Sequence, residues 1–138
     1  MFREEKFFLS NFYPCQIVVD GISFPTSEHL YQYLKAGDDL SRRLILDQET
    51  PSAAKKATLT PEFVARPDWE AVKLDRMEYV LRQKFAHPDL LALLLATGDL
   101  ELVEDNDWDD TYWGVCNGLG QNHLGKLLMK IRAEARQS

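Results

Sequence analysis

The stretch Gln16-Ile17-Val18-Val19-Asp20-Gly21-Ile22-Ser23-Phe24-Pro25-Thr26-Ser27-Glu28-His29-Leu30-Tyr31-Gln32-Tyr33-Leu34-Lys35-Ala36-Gly37 changes its hydrophobic period halfway along. Up to Phe24, two short β-branched and aromatic runs flank Asp20-Gly21, a pair that supplies the positive φ angles of a type I′ hairpin turn. From Pro25 the pattern turns helical. Thr26 or Ser27 is the natural cap of a helix that runs to Ala36, with Gly37 as its stop. A hairpin feeding directly into a helix predicts an α+β chain.

Working outward, the chain is mostly helical. A short helix is expected over Leu40–Asp47, and another starts at Pro51, where proline suits a first turn and Ala53-Ala54-Lys55-Lys56 are good helix formers. Asp68 caps the longest helix, whose Val72, Met77, Val80, Leu81 and Phe85 form a stripe that ends before Pro88. Asp89 to Ala96 forms one more, closed by Gly98, and the alternation of Leu100 to Val103 predicts a short strand. The last helix starts near Gln121, with Leu124, Leu127, Leu128 and Ile131 on one face and Lys126, Lys130 and Arg136 on the other.

The 138 residues carry 16 Lys+Arg against 22 Asp+Glu, a formal charge of −6, and are 45% hydrophobic. That composition is ordinary for a soluble globular protein, with one domain over residues 1–138 as the expectation. The acidic balance argues against an indiscriminate nucleic-acid binder or a polybasic membrane-surface protein. Seven acids and no base fall between Asp99 and Asp110, leaving 15 acids against 16 bases elsewhere. Cys15 and Cys116 lie far apart with no signal peptide before them, which points to a reducing cytoplasm and no disulfide. The longest apolar run, Leu90 to Ala96, is far short of the ~20 residues of a membrane-spanning helix.

Several motifs approach a known chemistry and fail it. Gly120 to Lys126 fits part of a phosphate-binding loop, but Leu127 stands where Ser or Thr must reach magnesium. Gly118 and Gly120 could open a dinucleotide fingerprint, yet the third glycine position is His123 and no βαβ unit surrounds it. Asp105, Asp107 and Asp109 match the start of a calcium loop, but Asp110 replaces its glycine and Cys116 its final glutamate. His29, His87 and His123 pair with no cysteine or acid at zinc-motif spacing. No nucleophile elbow or Ser/His/Asp order is present. Neither metal nor cofactor is expected.

Two features survive. Glu28, Gln32 and Lys35 share one face of a helix, with Leu30, Tyr33 and Leu34 on the other. They form either a solvated polar face or a carboxylate and an amine aimed into a cleft. Asn106-Asp107-Trp108-Asp109-Asp110-Thr111-Tyr112-Trp113-Gly114 alternates aromatics with acids. It is either an acidic loop pinned by two indoles or a surface that stacks a flat heterocycle and stabilises positive charge on a sugar.

In their order and spacing these pieces resemble the YbiA-like family, also called NADAR. The resemblance runs over almost the whole chain through Leu9-Ser10-Asn11-Phe12, Asp20-Gly21, Phe24-Pro25-Thr26-Ser27-Glu28-His29 with Gln32 and Lys35, and Asp68-Trp69. It continues through Leu102-Val103-Glu104, Asp110-Thr111-Tyr112-Trp113-Gly114, Gly118, Gly120, Asn122, Leu124-Gly125 and Leu128-Met129-Lys130-Ile131-Arg132. It implies a YbiA-like α+β fold and a small N-glycosidase acting on ribose-linked heterocycles. The implied substrates are phosphoribosyl-amine pyrimidine intermediates of riboflavin synthesis or ADP-ribosylated guanine, free or in nucleic acid. The family's functional glutamate, tryptophan and aspartate fall on Glu28, Trp69 and Asp110, and Lys35 matches another characteristic polar position. Ala57-Thr58-Leu59 departs from a Gly-Arg pair of many relatives, so a phosphate or base contact is expected to differ there.

Breaking a ribose–nitrogen bond passes through an oxocarbenium-like state, which calls for a carboxylate near the anomeric carbon and help for the leaving nitrogen. Glu28 or Asp110 would activate water or steady the cation while the other positions sugar hydroxyls or protonates the base. Lys35 could instead form a Schiff base with ring-opened ribose if burial lowers its pKa. Trp69, Trp108 and Trp113 are expected as walls for the heterocycle, with Gln32, Asn11 and Asn122 as hydrogen-bonding groups. Turn and helix-cap roles are the alternatives for Asn11 and Asn122. The rival readings are a non-catalytic ADP-ribose or NAD-binding module and a structural, partner-binding protein.

Overall fold

Ile17 and Phe24 face each other across the hairpin formed by β1 (Pro14–Val19) and β2 (Ile22–Thr26), and both are buried. The two turn residues have φ of 51° at Asp20 and 78° at Gly21, as a type I′ turn requires. In this computed structural model, which describes residues 2–137, the hairpin leads without a linker into α1 (Ser27–Lys35). Thr26 is the cap, its side chain accepting from the His29 N–H.

Gly37 plays a different part from the helix stop expected of it. Helix α1 ends through an extended Ala36, φ −63° and ψ 135°. The Lys35 carbonyl then accepts from the Arg66 N–H at 2.9 Å, and the Gly37 N–H donates to the Val64 carbonyl at 2.7 Å. A Cβ on Gly37 would stand 2.9 Å from the Arg66 nitrogen. A second backbone passing close by is what requires glycine here.

Helices α2 (Asp39–Leu46) and α3 (Pro51–Ala57) are capped by Asp38 and Thr50, whose side chains accept from Ser41 N–H and Ala53 N–H. They bury Ile45, Ala54 and Ala57, with Tyr33, Leu44 and Phe63 packed around them. The long helix α4 (Trp69–Lys84) follows, with Trp69, Met77, Val80 and Leu81 buried. By backbone proximity the chain forms two compact units, one of Asn11–Val80 and one of the described residues on either side of it.

The second unit holds a 3-10 helix (Glu4–Leu9), α5 (Pro88–Ala96), the short parallel pair β3 (Asp105–Asn106) and β4 (Val115–Cys116), and α6 (His123–Arg136). The strand expected over Leu100 to Val103 does not form. Leu102 is buried, but its carbonyl accepts from the Asn122 side-chain Nδ2 at 2.9 Å and the Glu104 N–H donates to Asn122 Oδ1 at 2.9 Å. A side chain there satisfies the backbone that a neighbouring strand would otherwise satisfy. Asn122 takes a left-handed φ of 53°, so α6 begins at His123, later than expected.

Two cations lie inside this unit. Lys84 has no exposed surface and its Nζ donates to the Ser10 carbonyl at 2.8 Å, while buried Arg132 donates to Thr97 Oγ1 at 2.8 Å. Among the described residues no helix is long and apolar enough to cross a membrane.

Gly125, inside α6, has no room for a side chain, because a Cβ would overlap the Leu102 carbonyl oxygen and the Asn122 amide. On an exposed helix face Gly→Ala stabilises by about 1 kcal/mol. Here Gly125→Ala is expected to destabilise by about 1–3 kcal/mol through overpacking, read as a lower urea midpoint at unchanged slope.

Candidate active site

Helix α1 opens with a built-in anchor. The Glu28 N–H donates to the Asn11 carbonyl at 3.0 Å. The Ser27 hydroxyl donates to Asn11 Oδ1 at 2.7 Å, and Asn11 Nδ2 donates to Met77 Sδ at 3.4 Å. Every polar atom of the Asn11 side chain is therefore engaged within its own unit. His29, one residue on, is buried between Thr26 and the Gln48 carbonyl, with Nδ1 2.7 Å from Thr26 Oγ1 and Nε2 3.0 Å from Gln48 O. A neutral ring with its proton on Nε2 satisfies both contacts. Burial pushes the imidazolium pKa down, in the same sense, against the Gln48 carbonyl.

This anchor fixes Glu28, which is 8% exposed, in the first turn. Its Oε2 accepts from Gln32 Nε2 at 2.6 Å. Burial pushes its carboxyl above the usual carboxylate range, and the Gln32 hydrogen bond and the charges of Lys55 and Lys35 act against that rise. Lys35 ends the same face, half-buried. Burial pulls its ammonium pKa down, Glu70 opposes this, Lys73 adds to it and Glu28 opposes it. Glu70 is itself bonded to Lys73 at 2.9 Å. The polar stripe is thus no solvated face: two of its three members are buried and the third has a perturbed amine.

Trp69 is 5% exposed, its ring edge set against Tyr31 with centroids 5.1 Å apart. Asn11, Glu28, Gln32, Lys35 and Trp69 all belong to the Asn11–Val80 unit.

Trp108, Asp110, Trp113 and Asn122 belong to the other unit. Asn106 organises their loop. Its Oδ1 accepts from the Asp110 N–H at 3.0 Å and its Nδ2 donates to the Asp110 carbonyl at 2.8 Å. Asp110 Oδ1 accepts from the backbone N–H groups of Tyr112 at 3.1 Å and Trp113 at 2.9 Å. Trp113 stands edge-on to Tyr112 at 4.8 Å, and Tyr112 packs on His123 at 4.5 Å. Trp108 is exposed. Both polar atoms of the Asn122 amide are taken by Leu102 and Glu104.

Glu104, which the sequence offers only within the family-like motif, is buried, and burial raises its carboxyl pKa, with the Phe2 backbone acting against the rise and Asp110 adding to it. Its sequence signal is faint, one acid among the seven from Asp99 to Asp110, set after the apolar pair Leu102-Val103. Gly114 has no room for a Cβ because the Glu104 carbonyl lies against it. Among the described residues no three His, Cys, Asp or Glu side chains are grouped to hold a metal ion.

The NADAR domain model matches residues 1–136. The chain is 38% identical over 136 residues to a riboflavin biosynthesis protein of Vibrio vulnificus, covering 97% of this chain and 37% of that one. It is 42% identical over 127 residues to the N-glycosidase YbiA of Shigella boydii, covering 91% of this chain and 79% of the relative. The NMR structure of Escherichia coli YbiA superposes with a TM-score of 0.86 at 38% identity, over 99% of this chain and 82% of that one.

A buried acid whose folded-state pKa is raised destabilises the fold once pH climbs past the unfolded carboxylate range. That penalty grows until the folded-state pKa is passed and stays constant above it. Glu28→Gln keeps an oxygen for Gln32 and removes the charge. Its urea midpoint is expected to exceed that of the parent at neutral pH, with the gap closing as pH falls below the ordinary carboxylate pKa.

Proposed function

The chain belongs to the NADAR family, and from that premise we propose that it is an N-glycosidase, a hydrolase of the bond between a ribose carbon and a heterocycle nitrogen on a phosphorylated substrate. The observation that carries this reading is the buried Glu28 carboxyl in the first turn of α1, with Gln32 bonded to it and the pKa-lowered amine of Lys35 on the same face. Such a carboxylate, held in a low-dielectric setting, stabilises the positive charge that develops at the anomeric carbon far more strongly than one in water. Asp110, with Oδ1 fixed by two backbone N–H groups, is the second acid of the mechanism. Gln32, Trp69, Trp108 and Trp113 are proposed as substrate contacts. Asn11 and Asn122 support the site through the backbone they hold.

The substrate reading favoured by relatives named for riboflavin biosynthesis and N-glycosidase activity is a phosphoribosyl-amine pyrimidine. ADP-ribosylated guanine, free or within nucleic acid, is the competing substrate.

The lowered ammonium of Lys35 favours a second route through a covalent intermediate. There the neutral amine adds to C1 of the opened ribose, the base nitrogen leaves with a proton, and water hydrolyses the imine to restore the amine.

Incubating the protein with each substrate and following the released base by mass spectrometry tests the reading. Glu28→Gln is expected to lower kcat by about 10²–10⁴-fold with a small change in KM. Tight binding without release of base from either substrate would replace the enzyme by an ADP-ribose or NAD-binding module. Borohydride reduction during turnover is expected to leave a ribosyl-phosphate mass on Lys35 if the covalent route operates. Turnover with no adduct assigns the reaction to direct hydrolysis.

A further inference from the structure

Gln32 lies one helical turn after Glu28, is 6% exposed, and commits its Nε2 to Glu28 Oε2 at 2.6 Å. Its Oε1 is buried and has no hydrogen-bond partner among the described residues. A buried carbonyl left unsatisfied is costly, and a glutamine amide has a second orientation, turned over about its last torsion. Turned over, Oε1 would face Glu28 Oε2. With Glu28 ionised, two oxygens would meet at that short distance and a buried NH2 would be orphaned in place of a carbonyl. With Glu28 protonated, the turned amide would be the better one, because the acid O–H would donate to Oε1. The amide as it stands is the orientation that a carboxylate selects.

The other charges acting on Glu28 are Lys55 on α3 and Lys35 on its own helix. Among the described residues these two are the charged groups that act on Glu28, and α2, β1 and β2, also packed on α1, add none. Gln32 thus makes the direct contact.

We propose that Gln32 is a positioning residue that holds Glu28 as a carboxylate in one orientation, so that Glu28 supplies negative charge to the anomeric carbon and the leaving base takes its proton from another group. This rests on the N-glycosidase reading for its consequence, although the link between the two side chains stands without it. The unsatisfied Oε1 is what it costs to keep the N–H on the carboxylate.

The test pairs two readouts on the full chain, 13C NMR titration of the Glu28 carboxyl and the pH profile of kcat/KM with the phosphoribosyl-amine pyrimidine. In Gln32→Met, similar in shape but without the donor, the Glu28 carboxylate population on the acid side of its titration is expected to fall about tenfold. The acid limb of kcat/KM should move up by the same one pH unit. Gln32→Glu, a second variant for the case that methionine is not tolerated, sets two carboxyls on one proton and should move the limb further. An unchanged Glu28 titration in either folded variant overturns the proposal, as does activity that rises when Glu28 takes up its proton. If the parent releases no base from either substrate, the enzymatic reading fails while the titration still decides whether Gln32 governs Glu28.

Discussion

Burying the Glu28 carboxyl in the first turn of α1 is the constraint around which the Asn11–Val80 unit is arranged. Removing a carboxylate from water opposes its ionised form, and such a group persists only where hydrogen bonds and nearby positive charge compensate. The positive end of the helix dipole supplies part of this. Gln32 adds a direct hydrogen bond, and Lys55 and Lys35 add charge. The turn that carries Glu28 is held by Asn11, whose carbonyl and amide are shared among Glu28, Ser27 and Met77. A polar residue that reads as a substrate contact is thereby spent on keeping the acid in place.

The second unit meets a related problem with a crowd of like charges. The seven acids from Asp99 to Asp110 repel one another, yet several have local compensation. Asp99 pairs with Arg136 at 2.9 Å, and Asp110 accepts from two backbone N–H groups. Asn106 and Asn122 fold the backbone around them through their amides, and Gly114 and Gly125 let it pass close enough for those bonds to form. The formal charge of −6 therefore says little about the surface near this loop. What matters is which acids are committed to backbone groups and which oxygens are left for a ligand.

Much was legible along the chain. The hairpin, the capped helices and the placement of Glu28, Gln32 and Lys35 on one face follow from turn chemistry and from the helical period. The α+β, mostly helical architecture follows from the same signals, and the superposition on YbiA agrees with it. The misreadings share a cause. Leu100 to Val103 alternates like a strand, but its hydrogen bonds go to the side chain of Asn122, and Gly37 follows a helix like a stop, but answers to the backbone at Arg66. Lys84 stands on the apolar face of α4, one turn after Val80, and is buried there as a cation because the Ser10 carbonyl, far along the chain, accepts from it.

The sequence by itself determined the elements and the faces, because capping, turn geometry and helical periodicity act over a few neighbouring residues. Only the tertiary structure decided which polar groups are spent and which are left to act, because their partners come from afar in the chain. Ser27 finds Asn11 across 16 positions, Asn11 finds Met77 across 66, and Lys84 finds Ser10 across 74. No local pattern encodes such pairings. They follow from the requirement that a buried hydrogen-bonding group find a partner wherever the packed chain supplies one.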